Sequence, residues 1–287
     1  MRSIAIINQK GGVGKTTTAV NLSAALAQSG KRVCVIDMDP QAHASLHLGF
    51  AMGENDLSVY NVLVGDAALA DVRHQAGDNL WLVPSQLDLA AVELELASEV
   101  GREIILSDRM QEDTAEFDYV ILDCPPSLGI LTLNALTTVH EVFLPLQPHF
   151  LALHGLSKLM KTIDIVAKRL NQQLKLTGVM FCMYETGTRL AAEVSGDVTK
   201  FLGQGTSRNC PWDDAHIFDT KIRRNIRLAE APSYGQSIFE YSPGSPGAAD
   251  YRKMADEVLA MPQAQQSVQS TSTENTTPAL AKRKMAS

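Results

Sequence analysis

The chain has 287 residues, 45% of them apolar, and carries a formal net charge of -7. A balance this acidic gives no general attraction to nucleic acid, so any such contact would need a local basic patch. No apolar run approaches the roughly 18–20 residues that span a bilayer, and the N-terminus runs directly into a glycine-rich loop rather than forming a signal peptide, so we expect a cytoplasmic protein with no membrane contact.

Short apolar strands alternate with helical patterns along the chain. Strands are predicted, in order, at residues 3–7, 32–37, 80–83, 119–123, 142–145 and 174–183. Helices are predicted between and after them at residues 16–28, 86–106, 151–170, 188–201 and 248–261. Residues 203–214, which are rich in glycine and polar residues, are predicted to form a loop.

This alternation predicts the fold class. Continuous apolar strands are buried on both faces, and strands that alternate with helices form right-handed crossovers. We therefore expect an α/β fold of three layers, a mostly parallel sheet flanked by helices, with ligands at the carboxyl ends of the strands. One domain is predicted over residues 1–261. Residues 262–287 are predicted to be a disordered tail, because they carry too few large apolar residues to offset their ordering entropy.

A glycine-rich loop joins the first predicted strand to the first helix. Phosphates need closely approaching backbone N–H groups, which glycines permit, and the start of a helix adds its positive dipole end. Lys15 is placed to reach the β- and γ-phosphates, and the Thr16 hydroxyl to bind Mg²⁺. The usual G-x-x-x-x-G-K-[ST] pattern fails only at its first position, Gln9. The loop predicts an ATP site formed by Lys10, Gly11, Gly12, Val13, Gly14, Lys15, Thr16 and Thr17.

Acidic residues end two of the predicted strands. Asp37 ends one strand, with Asp39 just beyond it, and Asp123 ends another. In a parallel sheet these strand ends share an edge with the glycine-rich loop, where a carboxylate can face the metal of a bound nucleotide. The alternative for each aspartate is capping of the helix that follows. The predicted metal-site residues are Thr16, Asp123 and Asp37.

Five motifs follow one another along the chain. They are KGGVGKTT at 10–17, DMDPQ at 37–41, ILDCPPSLGILTLNAL at 121–136, PLQPHFLALHGLSKL at 145–159 and NIRLAEAPSYG at 225–235. In this order they resemble the ParA/Soj branch of the deviant Walker A ATPases, within the ParA/MinD superfamily. The resemblance spans residues 1–260 and implies a P-loop NTPase fold that hydrolyses ATP with Mg²⁺.

The resemblance also implies roles for individual residues. Lys10 matches the family's signature lysine, which reaches across a dimer to the partner's nucleotide, and Lys15 matches the P-loop lysine. Thr17 matches a phosphate contact, Asp39 the aspartate that orients the attacking water, and Asp123 the Walker B aspartate near Mg²⁺. The implied catalytic residues are Lys10, Lys15 and Asp39, in a homodimer that forms on ATP binding and dissociates after hydrolysis.

Residues 221–227, here called the basic segment, hold four cations within seven residues. Family members bind DNA without sequence preference through arginines in this segment, which implies Arg223, Arg224 and Arg227, and Arg189 matches a further such position. Phosphate contacts alone would make this binding sensitive to salt and independent of sequence. Family members commonly have proline where this chain has Arg223. The alternative is a solvated helix face held by salt bridges.

Together these features predict an ATPase that partitions DNA. It would dimerise on ATP, bind nucleoid DNA non-specifically, and be released when a ParB-like activator protein stimulates hydrolysis. The sequence does not separate this function from that of a ParA-like ATPase that positions another cargo, such as a chemoreceptor cluster.

Two other kinds of ATPase and one other metal site are less well supported by the sequence. A membrane-cycling MinD-like ATPase would need a C-terminal amphipathic helix, and residues 279–287 have little apolar bulk. An iron–sulfur ATPase related to the nitrogenase iron protein would need paired cysteines, and Cys124 has no evident second ligand. His43 and His47 could share a helix face and bind a metal, but no third ligand is evident.

Overall fold

The computed structural model describes residues 1–53, 55–149, 152–203 and 210–262, and a sheet of eight strands lies at its centre. The strands are Arg2–Ile6 (β1), Val33–Asp37 (β2), His74–Gly77 (β3), Leu80–Val83 (β4), Tyr119–Asp123 (β5), Glu141–Leu146 (β6), Lys175–Phe181 (β7) and His216–Ile217 (β8). Their order across the sheet is β3-β4-β2-β5-β1-β6-β7-β8. Among the strands described, β3 and β4 are antiparallel and every other neighbouring pair is parallel, which confirms the predicted sheet.

Helices cover both faces of this sheet. They are Lys15–Gln28 (α1), His43–His47 (α2), Val59–Leu63 (α3), Leu69–Val72 (α4), Val92–Glu95 (α5), Ile105–Glu112 (α6), Ile130–Thr138 (α7), Ala152–Arg169 (α8), Arg189–Gly203 (α9), Ile226–Glu230 (α10), Ile238–Tyr241 (α11) and Pro246–Ala260 (α12). Because side chains alternate across a strand, Ile4 and Ile6 of β1 pack with α1, α11 and α12, whereas Ala5 packs with the helices of the opposite face. The three predicted layers are therefore present. Within the described ranges, no helix has both the length and the apolar character needed to cross a bilayer.

The parallel register brings acidic strand ends together. Asp37, the last residue of β2, lies opposite Asp123, the last residue of β5, and Ile6 of β1 lies opposite Asp123 on its other side. The loop that follows β1 therefore leaves the sheet beside both carboxylates. This is the carboxyl edge, where the strand order of an α/β sheet places its ligands.

The predicted elements match the structure to within two residues at either end, with one exception. The prediction that residues 86–106 are mostly helical is wrong. The chain there forms a 3₁₀ turn at Leu87–Ala91 and the four-residue α5, and then runs through turns until α6 begins at Ile105. Gly101, with a φ of 79°, redirects the backbone where a single long helix would have continued.

Two predicted segments lie partly outside the described residues. Residues 204–209 belong to the predicted loop and residues 263–287 to the predicted tail. Of the remaining predicted loop residues, Gly203 is the last residue of helix α9, and residues 210 to 214 are non-helical and mostly form a turn.

Candidate functional site

The glycine-rich loop forms the predicted strand–loop–helix unit. Gly12 and Gly14 adopt positive φ angles of 71° and 95°, which a residue with a side chain would adopt only with strain. Helix α1 then begins at Lys15, and the Thr18 N–H donates to the Gly14 carbonyl at 2.9 Å. The loop and the N-terminus of α1 thus have the backbone conformation and the dipole that an anion requires.

The two lysines of the loop lie in different surroundings. The Lys15 side chain is buried, and its Nζ lies 3.4 Å from the Lys10 carbonyl oxygen, to which it donates. Burial lowers the pKa of Lys15, while the charges of Asp123 and Asp39 act in the opposite direction. Lys10 is exposed. Lys15 is therefore fixed inside the site, and Lys10 is accessible from outside it.

Asn8, which was not predicted as a site residue, fixes the loop to the sheet. Its Nδ2 donates to the Pro145 carbonyl at 2.8 Å, and its Oδ1 accepts from the Lys10 N–H at 2.9 Å. The side chain is buried and links the start of the loop to β6. The only feature of the sequence that indicates this role is the position of Asn8 immediately before Gln9, the first position of the phosphate-binding pattern.

Asp123 has the properties of a metal ligand. Its side chain is fully buried, and neither carboxylate oxygen accepts a hydrogen bond of good geometry from the described residues, the Thr16 hydroxyl acting only as a weak donor. Burial raises the pKa of Asp123 and the charge of Asp37 raises it further, whereas the Thr16 hydroxyl and Lys15 favour the ionised form. A buried carboxylate without strong hydrogen bonds is costly unless a cation compensates it, so Asp123 and Thr16 fit the predicted Mg²⁺.

Few protein ligands are available to such an ion. Among the described residues, no group of three His, Cys, Asp or Glu side chains is arranged to hold a metal. Mg²⁺ suits this arrangement, because it commonly takes only one or two carboxylates and completes its shell with phosphate oxygens and water. His43 and His47 do not form a metal site: His43 is exposed, whereas His47 is buried in α2.

Asp37 has a different environment from Asp123. Its Oδ2 accepts from the Ser45 N–H at 2.8 Å and from the Ser45 hydroxyl at 2.7 Å, and its Oδ1 accepts from the Asp39 N–H at 3.1 Å. Burial raises the pKa of Asp37 to about 6, against the effect of these hydrogen bonds. Asp37 therefore holds the following loop and α2 in place, and its place in the metal site stays a prediction.

A pair of serines extends this network to Asp39. The Ser85 N–H donates to the Ser45 Oγ at 3.0 Å, and the Ser85 hydroxyl donates to the Asp39 carbonyl at 2.7 Å. Ser85 follows β4, so four parallel strands, β1, β2, β4 and β5, contribute to one site. No sequence signal identified either serine, because each acts through contacts distant along the chain.

An apolar cavity of about 470 Å³ adjoins the loop. It lies between the end of α1 nearest the loop, the residues after β7 and the stretch 222–229. Its lining comprises Gly14, Thr17, Cys182, Met183, Ile222, Arg223, Arg224, Asn225, Ile226, Leu228, Ala229 and Tyr251. A largely apolar cleft next to a phosphate-binding loop suits the flat base of a nucleotide.

A larger cavity, of about 640 Å³, lies at the opposite edge of the sheet. Glu141 and Lys175, the first residues of β6 and β7, line it together with Glu257. Because ligands of parallel sheets bind at the carboxyl edge, we place the site at the smaller cavity.

The basic segment is attached to the end of β7. The Ile222 N–H donates to the Phe181 carbonyl at 2.9 Å, the Tyr184 N–H to the Ile222 carbonyl at 2.9 Å, and the Arg224 N–H to the Tyr184 carbonyl at 3.3 Å. The segment therefore runs beside the chain that leaves β7, at the carboxyl edge of the sheet. Residues of the segment line the apolar cavity, Arg223 and Arg224 among them, whereas Arg227 lies outside that lining.

All four arginines predicted to contact DNA form ion pairs. The pairs are Arg189–Glu193 at 2.7 Å, Arg224–Glu185 at 2.8 Å, Arg227–Glu230 at 2.8 Å and Arg223–Asp250 at 2.6 Å. Three of these arginines lie on the basic segment, and the fourth begins α9, shortly after the turn that carries Glu185. The Arg224–Glu185 pair thus brings the basic segment next to the turn that precedes α9.

Comparison with known proteins gives consistent matches. A family model described as an AAA domain matches residues 1–176. The chromosome-partitioning ATPase Soj of Treponema pallidum is 42% identical over 260 residues, which cover 90% of this chain and 97% of that protein. The sporulation initiation inhibitor protein Soj of Bacillus subtilis is 43% identical over 258 residues, 90% of this chain and 98% of that protein.

A solved structure also matches most of the chain. Cobyrinic acid a,c-diamide synthase from Mycobacterium smegmatis, crystallised with ADP and magnesium, superposes with a TM-score of 0.75 at 35% sequence identity. The match covers 90% of this chain and 94% of that one.

Proposed function

This chain belongs to the ParA/Soj family of ParA/MinD-type ATPases, and on that premise we propose that it partitions DNA by binding it in an ATP-dependent manner. It is an ATPase of the positioning type that uses ATP and Mg²⁺. The observation that carries the proposal is the position of the basic segment, which lines the apolar cavity beside the glycine-rich loop and carries the exposed arginines Arg224 and Arg227.

The triphosphate is expected to occupy the loop at residues 10–17. The loop amides and the N-terminus of α1 would bind the phosphates, with Lys15 at the β- and γ-phosphates. Thr16 and Asp123 would hold Mg²⁺, which when bound neutralises phosphate charge. The base would enter the apolar cavity beside Gly14.

Asp39 is expected to orient the water that attacks the γ-phosphate. Its position depends on the hydrogen bonds that Asp37 and Ser85 make to its backbone. A single carboxylate supported in this way would give slow turnover, which a ParB-like activator would then accelerate.

Lys10 is expected to act on the nucleotide of a second subunit. Its exposure on the loop lets it reach outward, as an arginine finger does, so that ATP joins two copies of the chain. The catalytic residues would then be Lys10, Lys15 and Asp39.

DNA phosphates are expected to replace the exposed carboxylate partners of Arg189, Arg224 and Arg227. Such surface ion pairs are worth about 0–1 kcal/mol, so replacing the carboxylate by a DNA phosphate costs little free energy. Because the chain as a whole is acidic, with a net charge of -7, binding would be confined to these arginines and associate the protein with the nucleoid in the cytoplasm.

Binding to a duplex of arbitrary sequence tests this function. With ATP, the wild type should bind DNA, and Arg224→Ala should bind several-fold more weakly because it loses a phosphate contact. Arg32→Ala is the matched control, since Arg32 is also exposed and paired to a glutamate but lies at the opposite edge of the sheet. Equal binding with ADP and ATP, or equal binding by both variants, would contradict the proposal.

A further inference from the structure

Arg223 differs from the other predicted DNA contacts in its ion-pair partner. The Asp250 side chain is only 7% exposed, whereas the glutamates paired with Arg189, Arg224 and Arg227 are 36% to 56% exposed. Arg223 donates to Asp250 from Nε at 3.0 Å and from Nη2 at 2.6 Å, and its backbone N–H donates to the same carboxylate at 3.1 Å. Arg223 is thus held by both its side chain and its backbone.

This difference decides which arginines are free to exchange partners. An exposed ion pair contributes little, so phosphate can displace the glutamate at modest cost. If Arg223 turned towards DNA, the nearly buried Asp250 carboxylate would remain without its counter-charge, which is strongly unfavourable. Arg223 is therefore expected to keep its partner when DNA binds.

The Arg223–Asp250 ion pair connects one wall of the apolar cavity to helix α12. Arg223 belongs to that wall, Asp250 lies on α12, and the next residue, Tyr251, lines the same cavity. A second contact lies a few residues further along the chain. Gly247 of α12 packs so closely against Leu228 that a Cβ atom added to Gly247 would lie 2.8 Å from the Leu228 side chain. The wall is thus held against the first turns of α12 at both 223 and 228.

We propose that Arg223 is a positioning residue for the nucleotide base, which holds the cavity wall through Asp250, and that it does not contact DNA. This assignment rests on the proposed function in one respect, namely that the cavity receives the base of ATP. Contacts to DNA phosphates are then left to Arg189, Arg224 and Arg227.

Two measurements on the full chain separate these roles. The first is the Kd of a ribose-labelled fluorescent ATP analogue with Mg²⁺. For Arg223→Ala we expect a Kd about tenfold higher. That is the change expected if the cavity wall adopts its binding conformation in only about a tenth of the molecules. Competition by inorganic triphosphate, which has no base, should be the same for Arg223→Ala and wild type.

The second measurement is the dependence of DNA affinity on salt, at saturating ATP. Each phosphate contact contributes about 0.9 to the slope of log affinity against log salt concentration. Arg223→Ala should keep the wild-type slope, whereas Arg189→Ala, at a position outside the cavity lining, should reduce it by about 0.9 while leaving the Kd of the analogue unchanged.

Substitutions at Asp250 provide an independent route to the same pair. Asp250→Asn should weaken binding of the analogue as Arg223→Ala does. Exchanging the two residues, Arg223→Asp with Asp250→Arg, should recover part of the loss, as expected for a directly coupled pair.

Either of two results would overturn the assignment. One is wild-type affinity of Arg223→Ala for the analogue, and the other is a fall of about 0.9 in its salt slope. If the wild type binds no DNA with ATP, the proposed partitioning function fails, but the analogue and triphosphate measurements still decide the role of Arg223.

Discussion

Asp37 and Asp123 differ in the groups around them, and the roles that we propose for them differ accordingly. Both are fully buried, and each is the last residue of a parallel strand. Ser45 and Asp39 donate hydrogen bonds to Asp37, whereas Asp123 accepts none of good geometry from the described residues. Asp37 is therefore suited to holding a loop, and Asp123 to binding a cation. Their sequence contexts, an apolar strand ending in aspartate, are nearly the same.

His47 makes stability depend on pH. Burial lowers the pKa of His47 to about 4, below the value of about 6.5 that applies to an imidazole in the unfolded chain. Between these two values the unfolded chain binds a proton that the folded chain does not. The contribution of His47 to the free energy of unfolding therefore decreases as pH falls from about 6.5 to about 4, by up to about 3 kcal/mol, whereas the raised pKa values of Asp37 and Asp123 contribute in the opposite direction.

Urea unfolding of the nucleotide-free protein across this pH range measures the effect. His47→Gln should lose less stability on acidification than the wild type. His43→Gln, an exposed histidine of the same helix, should follow the wild-type curve. An identical pH dependence for His47→Gln and wild type would show that His47 is not responsible.

At the scale of elements, the long helices and buried strands could be predicted because their patterns are local. A strand such as Tyr119–Asp123 is apolar throughout, and α1 follows directly from the glycine-rich loop. Helices of four or five residues, such as α2 and α11, are too short to show an apolar period. The prediction of a long helix at residues 86–106 was wrong because the helix-forming residues there lack a continuous apolar face for packing. Helix propensity alone does not sustain a helix in water.

Strand β7 depends on a glycine for its packing against neighbouring rings. A Cβ atom at Gly178 would lie 2.6 Å from the Phe143 ring and 2.8 Å from the Phe218 ring, which pack edge to face. Gly178→Ala should therefore lower the free energy of unfolding by about 1–3 kcal/mol through overpacking.

Gly155 offers the same substitution in a different environment. It lies in α8, where an added Cβ would have no described atom within 4 Å apart from its chain neighbours and the helix's own backbone, so Gly155→Ala should raise stability by up to about 1 kcal/mol. Urea midpoints of the two variants should thus move in opposite directions. Shifts of the same sign would contradict the packing argument.

At the scale of the whole molecule, ATP is expected to control the association of two copies. Lys10 is exposed beside the phosphate-binding loop, and a lysine donated by each copy would offset the charge of the other's triphosphate. With a non-hydrolysable ATP analogue, sedimentation velocity should show a dimer for wild type and dimerisation at least about tenfold weaker for Lys10→Ala.

Lys253→Ala is the control for this experiment, since Lys253 is an exposed lysine on α12. It should dimerise as the wild type does. A wild-type protein that stays monomeric with the analogue would exclude the proposed association through Lys10.

The site was predictable where it is continuous in sequence and not where it is assembled by the fold. Residues 10–17 form a single motif, and the strand-end aspartates follow from the parallel sheet. The link from Asn8 to Pro145 and the pair Arg223–Asp250 join residues distant along the chain, so no local pattern announces them. Arg223 shows the difference most clearly, because its charge predicts a contact with DNA, whereas its ion pair with Asp250 is the basis of the positioning role that we propose for it.

The basic segment lines the apolar cavity and also carries Arg224 and Arg227, two of the arginines proposed to contact DNA. Under the proposed function, a change that reshapes the segment to admit a different base would also shift the spacing of these charges, because the same backbone carries both. Selectivity for the nucleotide and affinity for DNA would then be coupled, and redesign of either would require compensating changes in the other.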